Sequence, residues 1–321
     1  MLTTSRPSAS ASALRPPGVV PFWYLVCASD ELKRGGVMRI ELAGMPIVLF
    51  RGRETGVVHA LPAHCLHQGV DLVHGHVVRD CLRCPLHQWE YSDRCERIPG
   101  SRPSYRAAER YGMIFLHLGA DPEVPIPGFS VPDEELYFVH GKPVVIECPW
   151  YVPIANAFDM IHLQTVHRRA LKTRPEITRP DPSTFFVRYS TRVIGDGWSD
   201  RAMRYLSNDD IRVKVICKGG SMLMVESEVG RRRSFLMTSL RPTKGGVSIL
   251  PLFGTPRTAS RSHLLHARAA AALFTAFLRR DIAPLQGIRF PDGYIDTHDE
   301  TVTACYQYLC GLPGYSSEEI S

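Results

Sequence analysis

Two thiols and two imidazoles in the first third of the chain have the types and spacing of a metal-cluster ligand set. Cys65-Leu66-His67 and Cys84-Pro85-Leu86-His87 are separated by sixteen residues. Two thiolates can hold one iron of a two-iron, two-sulfur cluster while two imidazoles hold the other, and nitrogen ligation raises the reduction potential above that of an all-cysteine cluster. Such a potential suits passing electrons toward oxygen chemistry. Gly69, Gly75 and Pro85 supply the turns that two ligand loops need. A structural zinc site is the competing reading, because Cys81 and Cys84 form a Cys-x-x-Cys pair. Zinc leaves the short Cys65-x-His67 pair without a role, whereas the iron-sulfur reading uses both pairs and leaves Cys81 as a neighbour. His64, His74 and His76 lie in the same segment and read as surface or hydrogen-bonded loop histidines.

Asn156, Asp159, His162 and His167 form a second constellation, Asn-x-x-Asp-x-x-His-x-x-x-x-His. In a regular helix Asp159 and His162 share a face, but His167 falls about 140° around from His162. Both imidazoles reach one metal only where the helix ends or bends near it. Two histidines and one carboxylate with open positions are the ferrous, oxygen-activating arrangement, so a carboxylate from elsewhere in the chain is expected to complete it. His263 and His266, three apart on a later helical stretch, read as ordinary helix-surface histidines.

The elements that must position these groups are legible in outline. Segments 37–42, 46–51 and 57–61 are rich in Val, Ile and Leu and are divided by glycine-containing connections, as in an antiparallel sheet that resumes at 112–118. Pro122, Pro125, Pro127 and Pro132 mark a linker. Segment 154–170 lacks glycine and proline and is expected as one helix. Strand-like runs follow at 184–193, 211–217, 222–229, 235–240 and 247–251, then a long helix at 262–280 with Ser262 as a candidate cap. The division expected is a disordered tail 1–17, a first domain 18–120, a linker 121–135 and a second domain 136–321.

Bulk properties bound the remainder. A chain of 321 residues, 44% hydrophobic and 22% charged, has room for two cores. The apolar stretch 18–28 is broken by Pro21 and is far short of the ~20 residues that cross a bilayer, so no membrane span is expected. The net charge of +6 is spread along the sequence and selects neither nucleic acid nor an acidic partner. Arg231-Arg232-Arg233 after Gly230 reads as a solvated hairpin tip. Nine cysteines form no regular framework, and without a secretory signal they are expected as reduced thiols in the cytoplasm. There is no Gly-x-Gly-x-x-Gly fingerprint and no plant-type ferredoxin spacing, so electrons from a nicotinamide must arrive through another protein.

Both constellations, in this order and joined by a proline-rich linker, resemble the α subunit, or terminal oxygenase component, of Rieske non-haem iron oxygenases. The likeness extends over nearly the whole chain after about Pro21 and includes Trp23-Tyr24. It implies an α+β fold, with an N-terminal all-β Rieske domain followed by a helix-grip (START-like) catalytic domain of antiparallel sheet and long C-terminal helix. It implies Cys65, His67, Cys84 and His87 on a [2Fe-2S] cluster, and His162 and His167 on a mononuclear Fe(II), with Asn156 beside them. Asp281 best matches the family's late aspartate as third ligand, with Asp292, Asp296 and Asp299 as fallbacks. Asp159 would be a bridge, hydrogen-bonded to His162 and, across a subunit boundary, to His87 of a homotrimer. The implied partners are dioxygen, a small organic substrate and a ferredoxin or NAD(P)H-dependent reductase. The compact length is more like homotrimeric members that mono-oxygenate or demethylate. The alternatives are a dihydroxylating or N-oxygenating member, or a Rieske electron-transfer or ligand-binding protein. Two positions depart from the pattern: Leu285 stands where many relatives carry Trp, and Ala155 where Glu is common. Phe158, Leu163, Phe185, Phe186, Met222 and Met224 read as core more readily than as pocket.

Overall fold

Alternating apolar segments joined by two-residue turns build the first third of the protein. The computed structural model describes residues 16–91, 105–119, 124–257, 263–288 and 299–314. Strands β1 (Trp23–Ala28), β2 (Val37–Leu42), β3 (Met45–Arg51), β4 (Val58–Pro62), β5 (His76–Val78), β6 (Cys81–Arg83), β7 (Glu90–Tyr91), β8 (Arg106–Arg110) and β9 (Met113–His117) form three antiparallel sheets. Their orders are β1-β9-β8, β2-β3-β4 and β5-β6-β7. Ala43-Gly44 and Tyr111-Gly112 close the β2–β3 and β8–β9 hairpins with all four residues at positive φ, the turn whose twist matches that of paired strands.

Longer strands make the second part. These are β10 (Leu136–His140), β11 (Val144–Ile146), β12 (Arg169–Leu171), β13 (Glu176–Asp181), β14 (Thr184–Val193), β15 (Ile211–Lys218), β16 (Met222–Val229), β17 (Arg232–Thr243) and β18 (Gly246–Pro256). They pair antiparallel in one nine-stranded sheet, ordered β10-β18-β17-β16-β15-β14-β12, with β11 also on β18 and β13 also on β14. The helices are α1 (Val152–Ala157), α2 (Met160–Thr165), α3 (Trp198–Ser207), α4 (His263–Leu285) and α5 (Glu300–Cys310). The long α4 lies on the sheet against β18 and β10. The α+β architecture expected from the resemblance is therefore present: small β-sheets first, then an antiparallel sheet gripping a long helix. No helix among the described residues is long and apolar enough to cross a membrane.

The two parts share a core. Phe22, Trp23, Leu25 and Phe115 from the first part are buried in one cluster with Phe158, Phe185, Met222 and Tyr308 from the second. The polar end of the fully buried Trp23 is satisfied by the linker, its Nε1 donating to the Val124 carbonyl at 2.9 Å. Arg110 ties the linker at two further points. Its Nη1 donates to the Ile126 carbonyl, and a two-pronged pair grips Asp133 at 2.7 and 2.8 Å.

One expected helix is two. Segment 154–170 divides into α1, α2 and strand β12 because Asp159 leaves the helical conformation, at φ −83° and ψ 106°, and starts α2 as its N-cap. Its Oδ1 accepts from the His162 amide at 2.7 Å. A second carboxylate secures the same break. Asp299 caps α5 through the Thr301 and Val302 amides, and its other oxygen accepts from the Met160 amide at 2.8 Å and Ile161 at 3.3 Å. One buried anion thus serves two helix N-termini, where unpaired amides and the helix dipole favour negative charge. Replacing Asp299 with alanine is expected to lower stability by about 3 kcal/mol, from two lost caps in a buried setting. The urea midpoint measures this, and a loss below about 1 kcal/mol would show the double cap to be energetically minor. Helices α3 and α5 are additional to the sequence reading, and the Ser262 cap lies outside the described residues.

Candidate functional site

The two cysteine-histidine loops are folded alike. In the first, the Cys65 amide donates to Val70 and the Gly69 amide returns to Cys65; in the second, Cys84 donates to Trp89 and Gln88 returns to Cys84. Gly69 and Gln88, at equivalent places, both have positive φ, 72° and 59°. The result is a pair of matching turns with both sulfurs buried and both imidazoles exposed. The imidazoles face each other through Nδ1, 3.0 Å apart, and Trp89 stacks on His67 with ring centres 4.9 Å apart. Buried sulfur on one side and paired ring nitrogen on the other fit a cluster whose outer iron is held by histidine.

Tyr91 completes this site, and sequence reasoning did not single it out. Its hydroxyl lies 3.0 Å from Cys65 Sγ and accepts from the Leu66 amide at 3.1 Å. Burial alone would raise the Cys65 thiol, but hydrogen bonding from Tyr91 and from the His67 and Gln68 backbone holds it below its ordinary value. Cys81 is disulfide-bonded. That corrects the expectation of reduced thiols at this position and removes Cys81 from any zinc set. Hydrogen bonds to ligating sulfur stabilise the more negative, reduced cluster. Tyr91→Phe is therefore expected to lower the reduction potential by roughly 40–60 mV, the electrical equivalent of one hydrogen bond of ~1–1.5 kcal/mol in a one-electron couple. A redox titration followed by electron paramagnetic resonance reads the shift; an unchanged potential would remove the Tyr91 contact from the argument.

The second site lies where α2 ends beneath α4. His162 is on α2 and His167 just past its end, which resolves the helical-phase problem; Asp281 reaches them from the last turns of α4. Asp281 Oδ1 is 2.8 Å from Nε2 of each histidine, and the two nitrogens are 3.2 Å apart. Metal-ligand bonds of about 2.1 Å separate adjacent octahedral corners by about 3.0 Å, and tetrahedral corners by about 3.4 Å. The separations of 2.8–3.2 Å fit one face of an octahedron, leaving the opposite positions open. Among the described residues these three are the one group whose donor atoms converge to hold a metal ion. Burial alone would raise the Asp281 carboxyl, but hydrogen bonds from His162 and His167 hold it below the usual carboxylate range, keeping it anionic. Phe277 lies flat against His167, ring centres 3.7 Å apart.

With both geometries defined, comparison with known proteins decides the class of the first. Residues 22–111 match the family model of the Rieske [2Fe-2S] domain. The first part of the chain therefore carries a Rieske [2Fe-2S] domain. The aminopyrrolnitrin oxygenase PrnD of Pseudomonas fluorescens is 33% identical over 169 residues, 45% of each chain. The chain spans less than half the length of the curated relatives that it matches first. Two solved structures share the fold over almost the whole protein. Dicamba monooxygenase bound to dicamba superposes with a TM-score of 0.63 at 19% identity, covering 90% of this chain and 96% of that one. A chain of the reduced complex between oxygenase and ferredoxin in carbazole 1,9a-dioxygenase gives 0.68 at 15%, covering 93% and 90%. The protein thus shares the fold of these two structures, with the Rieske domain first.

Other candidate residues fall as follows. Asn156 places its amide nitrogen 3.3 Å from His162 Nε2, at the edge of the triad. The Asp159 side chain caps α2 and has no other partner among the described residues. Asp299 is occupied as the double cap, while Asp292 and Asp296 lie outside the described residues, as does the side chain of His263. His266 lines the large cavity above the triad, and so does Leu285. Of the six apolar residues read as core, only Leu163 reaches that cavity; Phe158, Phe185, Phe186, Met222 and Met224 are buried in the shared core.

Proposed function

We propose that this protein is the terminal oxygenase component of a Rieske non-haem iron system. It takes electrons from a ferredoxin or NAD(P)H-dependent reductase and mono-oxygenates an organic substrate, by hydroxylation or oxidative demethylation. The single observation that carries this reading is the convergence of His162, His167 and Asp281 at one end of a cavity of about 800 Å³, in a chain that also has a Rieske domain. Cys65, Cys84, His67 and His87 would hold the cluster, and the triad a ferrous ion. Bound there, the two groups supply electron relay and dioxygen activation. The protein's part is to keep Asp281 ionised, to aim both Nε2 atoms at one point and to hold substrate in a largely apolar, water-poor cavity. Overall one oxygen atom of O2 enters the product and the other leaves as water, with two electrons supplied from outside.

The exposed cluster histidines support a homotrimer. His67 and His87 present their rings at the surface, flanked by Leu66 and Leu86, which are 41% and 52% exposed. Such a tip is suited to a neighbouring chain, where His87 of the partner subunit would meet Asp159, and to a docking electron donor. The complex of a similarly folded oxygenase with ferredoxin agrees with that donor class. A cytoplasmic location is part of the same proposal.

Reconstituted protein is expected to hold about three irons and two acid-labile sulfides per chain. With reductase, ferredoxin, NADH and an aromatic and polycyclic substrate panel under ¹⁸O₂, one labelled oxygen should appear in a product. Two irons with no third, and no oxidised product, would leave an electron-transfer protein instead.

A further inference from the structure

The cavity above the triad is polar at its two ends and largely apolar between them. At about 800 Å³ it is near the upper limit of small-molecule sites, and its walls are one face of the sheet and one face of α4. Every second residue of β17 lines it: Arg232, Ser234, Leu236, Thr238 and Leu240. Opposite them β18 contributes Ile249, Pro251, Phe253 and Thr255. The direction of α4 orients this series. Phe274 stacks on Phe253, and Gly287, just past the helix, bonds to Glu147 beside the Ile146–Val247 pair. The triad end of α4 therefore lies over the start of β18, among Leu240, Ile249, Ile282 and Leu285, while His266 lies at the level of Thr255, Ser234 and Arg232. His266 and Asp281 both line the cavity and are separated by roughly 22 Å of helical rise.

Among the described residues the lining carboxylates are Asp159 and Asp281, both at the triad end, where the lining cations Arg169 and Arg279 stand two positions from His167 and Asp281. At the far end Arg231, Arg232 and Arg233 contribute positive charge, with no lining carboxylate beside them among the described residues. They are not equivalent. Arg233 turns to the outer face, against Phe235, Ser130 and Glu228. Arg232 is on the cavity face by strand alternation, and among the described residues its guanidinium has no hydrogen-bond or ion-pair partner. The arginine run is the exposed hairpin tip expected from the sequence, and one member, Arg232, in addition stands at the mouth of the channel that starts at the triad.

We propose that the molecule this site takes is an elongated apolar acid, with its reacting end at the triad and its carboxylate or equivalent oxyanion paired with Arg232. The inference rests on reading the cavity as an oxygenase's substrate pocket, and deepens it. A body of roughly 15–20 Å fills the axis, the length of a polycyclic carboxylic acid or a long-chain fatty acid and well beyond a single ring. An arginine fork is the natural partner for such a planar anion.

Binding tests this without turnover. Hexadecanoate and 5β-cholanate, each beside its methyl ester, would be titrated calorimetrically into the cluster-containing full-length protein. At least one acid is expected to bind ~10-fold or more tightly than its ester, and Arg232→Gln should abolish that preference. Arg212→Gln removes the same charge from the outer face of the same end of the sheet and should preserve it. Neither acid binding, acid and ester binding equally, Arg232→Gln keeping the preference, or Arg212→Gln removing it equally would each overturn the proposal. The acid preference does not depend on oxygenation. An inactive protein that still selects acids would contradict the oxygenase reading alone, and an active one indifferent to charge would contradict only this inference.

Discussion

Replacing Asp281 with alanine is expected to leave a folded protein with its cluster spectrum intact, but without iron at the triad and without substrate oxidation above background. Asp281 supplies the only negative charge among the three proposed donors, and its Oδ1 is equidistant, at 2.8 Å, from Nε2 of both histidines. Removing it leaves two neutral imidazoles, which hold ferrous iron poorly because a hard divalent cation favours anionic oxygen. Loss of a hydrogen-bonded partner around a metal ligand costs about 10–100-fold in affinity, so loss of the ligand itself should exceed ~100-fold. Cluster absorbance should not change, because the cluster ligands lie in loops of the first part while Asp281 lies on α4. Iron and sulfide analysis after gel filtration, with oxygen uptake on the best substrate, separates the outcomes. A variant that keeps its third iron and turns over normally would move the metal elsewhere. Asp281→Asn keeps the shape and loses the charge, so an intermediate iron content in that variant would assign the affinity to charge rather than to packing.

How much of this was legible beforehand depended on whether a local rule governed each residue. The strands β2, β14 and β16 have the limits read from their apolar runs and turns, because alternation with glycine or polar punctuation is a local signal. The break between α1 and α2 was not. Nothing in 154–170 marks a helix end by composition, and the break is made partly by Asp299, which lies 139 positions away from the amide of Met160 that it caps. Asp299 itself was visible only as a spare carboxylate, since a cap and a ligand look alike without the partner. The cavity lining shows a different limit. Met222 and Met224 face the shared core, whereas Leu223 and Val225 face the cavity. A strand buried on both sides carries no alternation to say which face meets the substrate. Tyr91 was missed for a third reason: seven residues past Cys84, its role depends on β6 pairing with β7, which brings its hydroxyl back over Cys65.

Asp159 offers the other large expected effect, and its two proposed roles give different results. As observed, its Oδ1 accepts from the His162 amide and starts α2. As proposed, the same carboxylate also bridges the His162 ring to His87 of the partner subunit, joining two sites into one hydrogen-bonded unit. Asparagine is as good an N-cap as aspartate, so Asp159→Asn should keep stability to within about 0.5 kcal/mol and retain the cluster spectrum and iron. It cannot replace a carboxylate that accepts from two imidazole N–H groups, so oxidation should slow by on the order of 100-fold. Asp159→Ala should be equally slow and in addition about 1 kcal/mol less stable. If capping were the whole role, the asparagine variant would turn over at the native rate and only alanine would suffer. Mixing chains that carry His87→Ala with chains that carry His162→Ala tests the same contact between subunits. Hybrid trimers should recover part of the activity that neither parent has, because some boundaries then join an intact cluster loop to an intact triad; verified hybrids with no recovery would remove the inter-subunit bridge.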